Sequence, residues 1–139
     1  LEVYRRSFQP SEHLDEPYVM MAAGVCAADS DAEAEFLRSS QLLAFARLRT
    51  GRPGKLPYPT HDVDEEIPAP VMTQVRQALS CSATGSATTV REQLGTLLDT
   101  FRPDELMITG MIHDHSARVR SFGIAAEVLT DLRDRGVAA

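Results

Sequence analysis

The feature that most restricts this chain is the run Tyr18-Val19-Met20-Met21-Ala22-Ala23-Gly24-Val25-Cys26-Ala27-Ala28. It is apolar on both faces and shows no polar alternation. Such a segment must be buried on every side, and periodicity alone does not separate a buried strand from a buried helix. Val19, Val25, Gly24 and the Asp-Ser turn that follows favour a strand. A strand apolar on both faces belongs in a parallel sheet covered by helices. A second strand is read over Glu105-Leu106-Met107-Ile108-Thr109-Gly110-Met111-Ile112.

The rest of the chain reads mainly as helices. A short one runs from about Leu1 to Phe8 and stops at Pro10, and Ser11 to Pro17 is a polar connection. Ser30-Asp31-Ala32-Glu33 has the S-x-x-E form of a capping box, in which hydroxyl and carboxylate each accept from the other residue's amide. The helix behind it carries Phe36, Leu37, Ser40, Leu43, Ala44 and Leu48 on one broad side. Gly51 ends it, and Arg47 and Arg49 suit its negative C-terminus. Residues 52–70 are rich in Pro, Gly and acids, so an irregular loop insertion is expected there, either a lid or plain disorder. Val71, Val75, Ala78 and Leu79 mark a short amphipathic helix. Another follows Gly85-Ser86, with Val90, Leu94, Leu97, Leu98 and Phe101 on one face and Pro103 as its stop. The last helix is expected from His115 to Arg135, with Val119, Phe122, Ala126, Leu129 and Leu132 spaced for burial and Gly136 as terminator.

Strand followed by helix, twice over, implies an α/β protein with a parallel sheet. Two parallel strands with four to five helices cannot hide both faces and both edges of the sheet. The 139 residues, 43% hydrophobic, are therefore expected to form a single partial domain over residues 1–139, completed by association into a homo-oligomer. The chain opens without Met and reads as mid-element, which suggests a fragment. The net charge of −6, from 14 basic and 20 acidic residues, argues against a nucleic-acid partner. No apolar run reaches the roughly 18 residues of a membrane span. The opening Leu1-Glu2-Val3-Tyr4-Arg5-Arg6 has no apolar leader core, so a cytoplasmic location is expected. Cys26 and Cys81 form no CxxC and read as reduced, mostly buried thiols.

Several motifs resemble the luciferase-like flavin-dependent monooxygenases. Tyr4-Arg5-Arg6-Ser7-Phe8-Gln9-Pro10-Ser11, then Leu14-x-x-Pro17-Tyr18-Val19-Met20, are similar to that family. Ala28-Asp29-Ser30-Asp31-Ala32-Glu33-Ala34 resembles the family's A-D-T-D-x-E-A segment after a strand. Gly85-Ser86-Ala87-Thr88-Thr89-Val90-Arg91-Glu92-Gln93-Leu94 resembles its G-[ST]-P-x-x-V-x-x-x-L element, with Ala87 where the family has Pro. Asp104-Glu105-Leu106-Met107-Ile108-Thr109, with Ile112-His113-Asp114-His115-x-x-Arg118-x-x-Ser121, resembles its closing strand and helix. The resemblance implies the C-terminal portion of a (β/α)8 TIM-type barrel, a fold of about 250 residues. Here that means the sixth helix, the seventh strand, an insertion, the seventh helix, the eighth strand and the eighth helix. It further implies reduced FMN delivered by a flavin reductase, O2, and a small organic substrate. Most flavin contacts would lie on earlier strands, so the chain alone is expected to be inactive.

On that footing, candidate residues can be placed. Gly85 and Ser86 open a helix whose N-terminus could hold the flavin phosphate; the competing reading makes Ser86 a plain N-cap. Arg118 and Arg120 lie at the start of the last helix, where positive charge opposes the dipole, which points to an anionic partner or to solvated surface. Met111 and His113 close the second strand at the end that faces a barrel's mouth, where His113 could contact substrate. Alternatively Asp114 caps the last helix and both His113 and His115 are surface residues. A third reading is a metal-dependent enzyme using His113, His115 and His61. Tyr58 and Arg52 could cover a substrate if the insertion closes. No catalytic residue is assigned, and the alternative to an enzyme is a self-associating α/β interaction module.

Overall fold

The computed structural model describes residues 1–134 and residue 136. The elements in order are α1 (Glu2–Ser7), β1 (Met20–Ala27), α2 (Asp31–Arg49), α3 (Val63–Glu66), α4 (Ala69–Ala78), β2 (Ser82–Gly85), α5 (Ala87–Phe101), β3 (Glu105–Thr109) and α6 (His115–Asp134). The expected helix end at Arg135 lies outside the described residues. Gly136 has the left-handed φ expected of a terminator, at +73°.

Among the described residues the sheet has three parallel strands, not two, in the order β2-β1-β3. The apolar run is the central strand, as its two-sided apolarity demands. Its first half, Met20 to Gly24, pairs with Glu105 to Thr109. Its second half, Gly24 to Ala27, pairs with Ser82 to Gly85. Strand β2 escapes a sequence reading because Ser82-Ala83-Thr84-Gly85 is short and half polar. It is held by context: Gln93 Oε1 accepts from the Thr84 amide at 2.8 Å, and Gln93 Nε2 donates to the Thr84 carbonyl at 3.3 Å. A side-chain amide thus stands in for the strand that β2 lacks on its outer side. Strand β3 is shorter than expected, ending at Thr109, so Met111 and Ile112 lie beyond it.

Alternate residues point to opposite faces of the sheet. On one face Ala23, Val25, Ala27 and Ala83 join Val90, Leu94, Leu98, Ile124, Ala125, Val128 and Leu132 in the main core, beneath α5 and α6. On the other face α2 covers only the upper half, where Cys26, Ala28, Ala34, Leu37 and Ile112 pack together. Below it Met20 is 56% exposed and Met107 51% exposed. One sheet face is therefore partly open, as the strand count implied.

The helix faces need two corrections. In α2 the buried residues include Leu37, Ser40 and Leu43 as expected, but Leu48 is exposed and Leu42 and Ala46 replace it, packing on Met72 and Val75 of α4. In α6 the buried stripe is Ser121, Ile124, Ala125, Val128 and Leu132; Val119, Phe122 and Ala126 face outward. This stripe faces β1, where Ser121 Oγ accepts from the Ala27 amide at 2.8 Å. The insertion is also more regular than expected: α3 and the start of α4 lie within 52–70, leaving residues 51–62 irregular.

Candidate functional site

The chain leaves β1 towards one face, through α2, and leaves β3 towards the other, through α6. Ligands of open parallel sheets bind where such connections diverge, beyond the strands' C-terminal ends. Here that place is built from Ala28–Ser30, Ser86, and the segment from Gly110 to His115.

Three consecutive residues after β1 fasten three helices. The Asp29 carboxylate accepts from Arg120 Nη2 at 2.7 Å and Nε at 3.2 Å, tying α6. Ser30 caps α2, its Oγ accepting from the Glu33 amide at 3.2 Å. This half of the expected capping box forms; among the described residues the return bond from the Ser30 amide does not. Asp31 Oδ1 accepts from the Ser86 amide at 2.6 Å, at the N-terminus of α5. That hydrogen bond, with others from the Thr89 and Ser86 hydroxyls, holds the Asp31 carboxyl below its ordinary pKa.

Gly85 and Ser86 are thus at a helix start, with Gly85 at φ +144°. A Cβ there would lie 2.6 Å from Asp31 Oδ1, so only glycine admits the carboxylate. Ser86 is the N-cap residue, but its side chain makes no capping bond to an amide. The protein's own carboxylate holds the place a phosphate would take.

At the end of β3, Tyr58 from the insertion lies on His113, with ring centroids 4.1 Å apart. Two residues singled out separately in the sequence therefore meet. Met111 is exposed beside them in the chain, and Gly110 lets Phe122 approach, since a Cβ would lie 3.2 Å from its ring. Asp114 Oδ1 accepts from the Ala117 amide at 2.7 Å, so Asp114 does cap α6. Arg118 Nη2 lies 2.8 Å from His115 Nδ1. Arg120, by contrast, has its anionic partner within the chain, in Asp29. The insertion is anchored a second time where His61 stacks on Phe36 at 4.3 Å and the Thr60 amide donates to Ser39 Oγ. His61, His113 and His115 hold separate partners, and no group of three metal-ligating side chains converges among the described residues. The metal-dependent reading finds no geometry here.

Sequence reasoning missed Arg38, Gln93 and the clamp roles of Asp29 and Asp31. Arg38 reaches from α2 to β2, donating to Thr84 Oγ1 at 2.8 Å and Ser82 Oγ at 3.1 Å. Burial lowers its pKa. Beneath α2 the Cys26 thiol is buried, which pushes its pKa up to about 12. Cys26 and Cys81 are both free thiols. No described helix is long and apolar enough to cross a membrane.

No family model matches the chain. A protein of Escherichia coli K12 named luciferase-like monooxygenase is 41% identical over 132 residues, which are 95% of this chain and 39% of that protein. YvbT of Bacillus subtilis, uncharacterized, is 36% identical over 128 residues, 92% of this chain and 38% of that one. Among solved structures, apo-MsnO8 matches with a TM-score of 0.69 and 27% identity, over 93% of this chain and 40% of that chain. The chain spans about two fifths of the length of these relatives. Along nearly all of its own length, then, the chain is similar to part of a protein named luciferase-like monooxygenase.

Proposed function

We propose that the chain supplies the C-terminal part of a flavin-dependent monooxygenase barrel, in which β1 and β3 are neighbouring wall strands and the remaining wall comes from outside these 139 residues. The observation that carries this reading is the 41% identity to a luciferase-like monooxygenase over 95% of the chain. The parallel pairing of β1 with β3, and the apolar sheet face left open at Met20 and Met107, support it.

The cofactor proposed is reduced FMN, which when bound supplies the electrons that activate O2 for oxygenation of a small organic substrate. The residues present fit part of this group. The open face around Met20, Ala22 and Met107 is apolar, with Glu105 as the one charged residue at its lower rim, and suits a planar ring. The α5 N-terminus fits the phosphate less well, because the Ser86 amide already donates to Asp31. Arg118 keeps guanidinium donors beyond its contact with His115 and is the better anion partner of the three residues proposed. Tyr58, His113 and Met111 line the substrate side. The Tyr58–His113 contact keeps the insertion over the strand ends, where it limits access of water.

Titration of reduced FMN under anaerobic conditions tests the reading. The 139-residue chain is expected to bind weakly and to turn over nothing. A longer protein that contains it is expected to bind tightly and to consume O2 in a flavin-dependent way. Absence of flavin affinity in the longer protein sinks the proposal.

A further inference from the structure

Arg38 is a half-buried cation that meets only neutral partners. Its Nη1 donates to Thr84 Oγ1 at 2.8 Å and its Nη2 to Ser82 Oγ at 3.1 Å. No carboxylate among the described residues forms an ion pair with it. Glu35, three positions back on α2, is exposed to solvent. A charge drawn out of water calls for an opposite charge. A guanidinium fork also has more donors than these two bonds use.

The fork is aimed at a particular place. Gly24 lies between Ser82 and Thr109 across the sheet, by the register of β1 with both its neighbours. Side chains at paired positions share a face, here the open face of Met20, Ala22 and Met107. Gly24 puts no side chain between the two hydroxyl residues, and a Cβ there would lie 3.4 Å from Ser82 Cβ. A bare strip of backbone therefore leads from the open face to the guanidinium on Ser82. Ser82 Oγ donates to the Leu79 carbonyl at 2.6 Å, which turns a lone pair towards Arg38. The hydroxyls hold the fork in place without neutralising it, and every residue that does so belongs to this chain.

We infer that Arg38 binds the anionic end of the substrate, a carboxylate or a sulfonate, and so selects organic anions. The inference rests on the flavin-dependent oxygenation proposed above. Such a group presents two oxygens to the guanidinium fork. The apolar remainder of the substrate lies along Gly24, towards the apolar part of the open face. From the level of Ser82 and Gly24 down to Ala22 is about 7 Å along the strand, so a short chain joins the anion to the face that suits the ring. The flavin phosphate is the other anion with the same chemistry, and riboflavin, which lacks it, separates the two.

The test uses the longer protein that contains this chain and follows the NMR signal of the Arg38 Nε–H group. The probes are octanoate, octanesulfonate and the neutral octanamide. Both anions are expected to shift the Arg38 signal and to bind about tenfold more tightly than the amide, or better. Arg38→Gln is expected to abolish that preference and Arg38→Lys to restore part of it, with the affinity for reduced FMN unchanged in both. Equal binding of amide and anions overturns the inference. So does an Arg38 signal that octanoate leaves in place, as a carboxylate from elsewhere in the longer protein would cause. An Arg38→Gln variant that loses affinity for FMN but not for riboflavin also overturns it, and assigns the guanidinium to the phosphate. The Arg38 titration needs no flavin, so its failure and that of the flavin titration are told apart.

Discussion

Asp29, Ser30 and Asp31 show how much one turn can do when each residue is the right type. A hydroxyl fits the N-cap geometry, and a carboxylate fits both a guanidinium and a helix N-terminus. The lowered pKa of Asp31 makes its contribution depend on pH. Its folded-state pKa lies below the unfolded one, so the stabilisation is present above the ordinary carboxylate range and is lost as pH falls through the folded value. Asp31→Ala is therefore expected to lower the melting temperature at neutral pH, and the gap from the unmodified chain should close in acid. A gap that persists unchanged at low pH would assign the effect to something other than the charge. Cys26 gives the opposite sign. With its thiol pushed up to about 12, it stays protonated while the unfolded thiol ionises near 9, so stability falls as pH rises across that window. In the native protein at mildly alkaline pH, alkylation should reach Cys81 and spare Cys26 until denaturant is added, as mass spectrometry of labelled peptides would record.

Among the elements, α6 and β2 carry the lessons. The spacing of apolar residues in α6 supports two stripes, and the sequence reading chose Val119, Phe122, Ala126, Leu129 and Leu132, of which Leu132 is buried and Leu129 packs against the core. For the first turns the fold chose Ser121, Ile124, Ala125 and Val128 instead, the face on which Ser121 Oγ accepts from the Ala27 amide. Leu94 in α5 is fully buried in the same core, and Leu94→Ala should cost about 2–5 kcal/mol in chemical denaturation. Val119→Ala should cost less than about 0.5 kcal/mol, as for an exposed site. Equal costs would mean the stripes are misassigned. Strand β2 depends on Gln93. Gln93→Leu keeps the bulk and removes both bonds to Thr84, with an expected loss of about 1–3 kcal/mol and faster exchange of the Thr84 amide.

For the molecule as a whole, β1 is the only strand among the described residues that is paired on both sides. Its amides are expected to exchange most slowly, and a slower β3 at low protein concentration would contradict the strand order. Much of this architecture was legible in advance. The two-sided apolar run announced a central parallel strand, the capping sequence announced α2, and Asp114 announced the start of α6. These are local signals: they depend on residue type and on spacing of a few positions along the chain. Strand β2, the Asp31 acceptor on Ser86, the Arg120 partner and the meeting of Tyr58 with His113 were illegible, since each joins residues tens of positions apart. By itself the sequence determined which segments must be buried and where helices start. The tertiary structure alone decided which of two apolar stripes is covered, which edge stays open and which anion fills a helix end, because those outcomes depend on distances that exist only after the chain has closed on itself.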